Sequence, residues 1–207
     1  VTRIMRTPEM LRRVGLSWLL LLSVVGSVPT LGGCGYNDVI ELDEDVKASW
    51  AEVENQYKRR ADMVPNLVKV VQGAANFERG TLKEVVEARA SVAGVKVDAS
   101  TIDDPKKLAA FEAAQAKLSG ALSRLLVVSE NYPDLKSNAS FRDLQAQLEG
   151  TENRITVARG RYIATIAEYN KVVLRFPSSW GASMRGKRER PTFTGTASDA
   201  KPPEINL

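Results

Sequence analysis

The sequence predicts an all-α protein, an antiparallel bundle of about four helices, two of them long. Three observations carry that expectation. Phe141, Leu148, Ile155, Tyr162, Tyr169 and Phe176 recur every seven residues, and Leu144, Thr151, Ala158, Thr165 and Val172 form a second row between them. Helix start and stop signals stand at Asp104-Pro105, Tyr132-Pro133 and Pro177. No strand-like alternation of apolar and polar residues appears. Composition agrees, since 43% hydrophobic and 26% charged residues suit a folded domain and a 6% aromatic share leans toward helix formers.

Residues 1–33 read as an export signal. Arg3, Arg6, Arg12 and Arg13 precede an apolar run from Val14 to Val28, which is short for a membrane span of about 20 residues. The run closes on Leu31-Gly32-Gly33-Cys34, which looks like a bacterial lipobox. Cys34 is the single cysteine and is therefore the expected lipidation site. An acyl group there anchors a chain durably only when a second or third chain is added. The other reading of the segment is an uncleaved signal anchor. In both, the cationic end stays inside and the remainder lies outside the cytoplasmic membrane, periplasmic or on the outer surface.

The first body helix is expected to begin near Leu42–Val46. Trp50, Tyr57, Val64 and Val71 form one row, and Val46, Val53, Arg60, Leu67 and Ala74 the other. Pro65 falls inside it, where it removes a backbone hydrogen bond and crowds the carbonyl of Ala61, so a kink is expected. A second helix over Thr81–Val92 and a loop over Ala93–Asp104 follow. Asp104 caps the third helix with Pro105 at its first position. That helix presents Leu108, Gln115, Leu122 and Ser129 beside Phe111, Leu118, Leu125 and Tyr132. A turn through Lys136–Asn138 leads into the long last helix, ended by Pro177. Domain boundaries are therefore 1–33 for the signal, 34–177 for the bundle and 178–207 for an extended or disordered tail rich in Pro, Gly, Ser and Thr.

Charge excludes one class of partner. The formal net charge is +4, but residues 1–33 hold four arginines against Glu9, and residues 177–207 hold five cations against three acids. Residues 34–176 are left with a net charge of −1, so no phosphate-tracking stripe is expected on the body and nucleic acid is not an expected partner. There is no histidine. Imidazole acid–base catalysis, most zinc sites and any intrachain disulfide are excluded with it and with the lone cysteine.

Several stretches resemble one family. They include Tyr36-Asn37-Asp38, Trp50, Arg59-Arg60-Ala61-Asp62-Met63-Val64-Pro65-Asn66-Leu67 and Ala88-Arg89. Further on come Tyr132-Pro133-Asp134-Leu135-Lys136-Ser137-Asn138, Phe141, Leu144-Gln145, Thr151-Glu152-Asn153-Arg154-Ile155, Ala158-Arg159, Tyr162, Tyr169-Asn170 and Phe176-Pro177. In this order, over residues 36–180, the chain resembles the LemA family. The resemblance implies a helical bundle tethered by its N-terminus to a bacterial envelope membrane, with no established enzymatic activity. Two departures stand out: a lipobox replaces the plain transmembrane anchor, and Glu189-Arg190-Pro191-Thr192-Phe193 keeps one aromatic of an aromatic-acidic segment.

Polar residues lie on or beside the seams. Arg60, Asp62, Asn66, Glu152, Asn153 and Arg159, with Asn170, are candidates for an anion, peptide-carboxylate or partner-binding ledge, or for an ion-pair network that sets helix register. Arg60 is expected to pair with Glu152. Asp43-Glu44-Asp45 is expected to be a solvated acidic turn complementing a helix dipole, and Asp103-Asp104 the same. No catalytic residue, metal site or cofactor is expected. The functional expectation is an interaction or scaffold protein of the envelope whose partner is another envelope protein. The alternatives are a helical protein acting directly on membrane lipid, or a carboxylate-based enzyme.

Overall fold

The computed structural model describes residues 34–74, 77–98 and 100–193, with side chains from Asp38 onward. Among them there is helix and no strand: α1 (Cys34–Gln72), α2 (Arg79–Gly94), α3 (Pro105–Ser129), α4 (Pro133–Ser137), α5 (Ala139–Leu174) and α6 (Ser178–Met184). The signal expected over residues 1–33 lies outside the described residues. No described helix is long and apolar enough to cross a membrane.

α1 and α5 lie side by side in opposite directions, since Arg60 meets Glu152 and Trp50 meets Tyr162. α2 runs against α3 in the same opposed sense, with Glu84 reaching Arg124 and Ser91 reaching Lys117. The heptad rows are the reason. Val46, Trp50, Val53, Tyr57, Val64, Leu67 and Val71 of α1 are all buried, as are Leu108, Phe111, Leu118, Leu122 and Leu125 of α3. At ~25 cal/mol per Å² of apolar surface, such rows supply most of the association energy.

On α5 the second row drifts. Phe141, Leu148, Ile155, Tyr162 and Tyr169 are buried with Thr151 and Ala158, but the row then passes to Ile166 and Val173 instead of Thr165 and Val172. A straight helix turns roughly 20° per heptad away from a strict seven-residue repeat, and the one-residue shift absorbs that rotation. Phe176, the last expected seam residue, lies past the helix end and is exposed.

Three expectations need correction. α1 begins at Cys34 rather than near Leu42–Val46, because Asp43 and Val39 extend the buried row one and two turns upstream of Val46. Asp43 is consequently 2% exposed and is not a solvated turn residue. The chain after Pro177 is not an extended tail as far as residue 193. It forms α6, packs Ala182 into the core, turns at Gly186 and buries Arg190 and Phe193. The turn has a sequence cause: Gly186 takes φ 68°, and the amides of Gly186 and Lys187 donate to the carbonyls of Ser183 and Ala182, a glycine-dependent helix stop. Residues 194–207 lie outside the described residues.

α1 runs uninterrupted through Pro65. The carbonyl of Ala61, which the proline deprives of its helical donor, accepts a hydrogen bond from Nε of Arg89 at 3.2 Å. As the sequence implies, Asp104 caps α3 by accepting from the amide of Lys106.

Candidate functional site

Apolar packing is divided in two. One cluster gathers Trp50, Tyr57, Phe111, Tyr162, Tyr169 and Phe193 near the start of α1. The other gathers Leu67, Val71, Leu82, Leu125, Phe141 and Leu148 toward its end. Arg60 occupies the boundary and is 1% exposed. Its Nη1 donates to Ser119 Oγ at 2.6 Å and to Glu152 Oε1 at 2.7 Å. Its Nη2 donates to the carbonyl oxygen and the Oε1 of Gln115 at 3.1 and 2.8 Å. The guanidinium lies 5.0 Å from the Tyr57 ring centroid. Nε has no hydrogen-bond partner. A buried guanidinium is tolerable only when its donors are met, and here acceptors from α3 and α5 meet four of five.

Arg159 lies next to this layer. It is 3.4 Å from both the Tyr57 hydroxyl and Glu112 Oε1, and its guanidinium stacks 4.5 Å from the Phe193 ring centroid. Burial pushes the Tyr57 hydroxyl up, against the opposing charges of Arg159 and Arg60. The structure therefore joins Arg60 directly with Glu152 and places Arg159 one contact away. It does not bring in Asn66 or Asn153, which are exposed. Asp62 is exposed too, but it faces a groove.

That groove, about 370 Å³, opens between α1, α2 and α3. Tyr57, Ala61, Val92, Val97 and Phe111 give it an apolar floor, while Glu54, Lys58, Asp62 and Arg89 stand around it. Gln115, fixed by Arg60, closes its base. A wider depression of about 910 Å³ at Gln72, Phe77, Leu82 and Val86 contains no buried polar group among its lining residues. The groove differs in that two of its polar side chains are held, Gln115 by Arg60 and Arg89 on the Ala61 carbonyl.

A second polar cluster, missed in the sequence, closes the end near residue 34. Arg190 donates from Nε to Asp103 Oδ1 at 2.6 Å, and its Nη1 lies 2.9 Å from Asp43 Oδ1. The Asp43–Arg190 contact is a close ion pair without aligned hydrogen-bond geometry. Lys187 and Lys47 approach Asp43 Oδ2 at 2.8 and 2.9 Å. Asn170 fixes the backbone, accepting from the Arg190 amide and donating to its carbonyl, both at 2.9 Å. Burial pushes the Asp43 carboxyl up, but Lys187, Lys47 and Arg190 outweigh it and hold the carboxyl below the usual range. Asp43 was findable, since it stands one heptad before Trp50. Arg190 carries no periodic signal.

A match to the LemA family spans residues 49–207, most of the chain and both polar clusters except Asp43 and Lys47. The chain belongs to the LemA family. Comparison with curated proteins returns no significant match. Of the LemA-like stretches in the sequence, Arg59–Leu67 supplies the buried arginine and the Asp62 rim of the groove, and Ala88-Arg89 supplies the donor that satisfies Ala61. Among the described residues no three His, Cys, Asp or Glu side chains are grouped to hold a metal ion.

Proposed function

We propose that this LemA protein is a non-catalytic binding module of the bacterial envelope, lipid-tethered through Cys34, which receives a segment of another envelope protein in the α1–α2–α3 groove. The groove itself is the observation that carries this reading: an apolar floor of side chains, charged groups at the rim, and Gln115 held at the base by Arg60. Such a surface suits a short apolar segment flanked by polar residues. The buried ionisable groups Arg60, Asp43 and Arg190 are all engaged in ion pairs, which supports a structural rather than a chemical use of them. The lipobox-like tetrad and the preceding apolar run support the tether.

Site-specific photocrosslinking in cells tests the groove. A benzophenone side chain at Lys58 should yield a discrete adduct that disappears when Ala93→Trp fills the groove. The same probe at Val157, exposed on α5, should not yield it. Identical adducts from both positions, or none from Lys58, would remove the proposal.

A further inference from the structure

The four most clustered exposed apolar side chains lie at one end of the molecule. Leu174, Phe176, Trp180 and Met184 are 62%, 71%, 74% and 88% exposed, and they run from the end of α5 through the connection into α6. An exposed apolar patch of this density marks a contact surface rather than random scatter. Phe176 and Trp180 meet edge-to-face at 6.0 Å, so the patch is preformed. It is also rigidly mounted, because Ala182 of α6 is fully buried and Gly186 stops the helix.

Position narrows the occupant. α1 and α5 are opposed in a register that sets Arg60 against Glu152 and Trp50 against Tyr162. Continued to the end of α5, that register puts Leu174 level with Asp38, within about 6 Å along the axis of Cys34. The patch therefore stands close to Cys34, the residue proposed to carry the lipid. Charge narrows it further. Residues 171–188 carry Lys171, Arg175, Arg185, Lys187 and Arg188 and no acid. Lys187 is committed to Asp43, whereas Lys171, Arg175 and Arg188 are exposed. Asp38, Glu41, Glu44 and Asp45, exposed acids near this end, belong to α1, and Glu189 alone follows Arg188, so an anionic surface would be approached through α6 rather than through α1.

We infer that Phe176, Trp180 and Met184, ringed by Arg175 and Arg188, form a foot that rests in the headgroup layer of an anionic bilayer beside the tether. The inference rests on the proposed tether. Aromatic and basic side chains are the groups that favour the interface, Trp for its amphipathic ring and Arg for anionic lipid. Docking of the foot converts a swinging attachment into a fixed orientation of the body.

The full chain, reconstituted in vesicles of phosphatidylethanolamine and phosphatidylglycerol in equal parts, tests it with two readouts. Flotation reads attachment. Quenching by lipids brominated in the upper acyl chain reads the foot, as the emission lost between the parent chain and Trp180→Phe. Trp50 is buried and unaffected by that substitution. Flotation with strong quenching of the Trp180 emission is expected. Arg175→Gln with Arg188→Gln should lower the docked-to-undocked ratio about fivefold for each charge removed. Flotation with unquenched Trp180 emission overturns the foot and leaves the tether standing, and so does a Trp180 shielded only by self-association at high protein concentration. A chain that fails to float removes both. Quenching that ignores the two arginine changes overturns headgroup recognition.

Discussion

Arg60 and Arg190 are both buried, 1% and 7% exposed, yet they are held by opposite kinds of surroundings. Arg60 grows from a seam position of α1 and meets acceptors on two neighbouring helices, only one of them charged. Arg190 grows from the chain beyond the last helix and is ion-paired with two carboxylates, Asp43 and Asp103. The first arginine is part of the framework between two apolar clusters. The second belongs to a segment that closes one end from outside the α1–α5 pair. A buried charge thus reports either helix register or segment docking, and the source of its backbone decides which.

The largest effect that sharpens this contrast is expected at Arg60. Arg60→Ala should cost about 2–4 kcal/mol in urea unfolding, because the seam loses its side chain and Gln115 and Ser119 lose their donor, whereas the carboxylate left behind, Glu152, is 45% exposed and resolvated. Arg60→Met, which keeps most of the volume, should cost far less. Equal losses for the two would show that hydrogen bonding rather than packing joins the clusters.

A smaller and more local loss is expected at the other arginine. Arg190→Ala and Phe193→Ala should each cost about 1–3 kcal/mol and should not add, since either change frees the same segment. Amide hydrogen exchange should accelerate over residues 187–193 and stay slow over residues 60–72. Acceleration throughout α1 would merge the two regions into one cooperative unit and erase the distinction.

Acid should act on the second region through Asp43. The Asp43 carboxyl is held below its ordinary value in the folded chain, so unfolding takes up a proton in that window. Its stabilisation is fully present above the ordinary carboxylate pKa of about 4 and is lost as pH falls below it. Melting followed from pH 7 to pH 3 should show this decline, and Asp43→Asn should flatten it. The smallest effect is expected at Gly186, where a Cβ meets open space but φ is 68°. Gly186→Ala should cost about 1 kcal/mol, read as faster exchange over residues 187–193 alone.

The framework was legible because packing against helices imposes a period. Trp50, Tyr57, Arg60, Leu148 and Tyr162 could be placed on facing seams from spacing alone, and the Arg60–Glu152 pair followed. Asp43 obeys the same spacing but was masked by Glu44 and Asp45, whose charge makes the triplet look solvated. Arg190 and Phe193 were illegible for a physical reason. They dock as single side chains from irregular backbone, held by Asn170 and Tyr169 on α5, and irregular backbone repeats nothing. The groove was illegible as well, for it depends on where α2 stops and on how residues 95–98 pass over Phe111.

The 39 residues of α1 have a geometric corollary. At 1.5 Å per residue, the helix spans about 58 Å. Phe77 and Tyr132 stack at its far end, 4.8 Å apart, and the turn around α4 lies there too. Whatever grips the chain at residue 34 is thereby held roughly six nanometres from anything that touches α4, a spacing that shorter helices could not bridge.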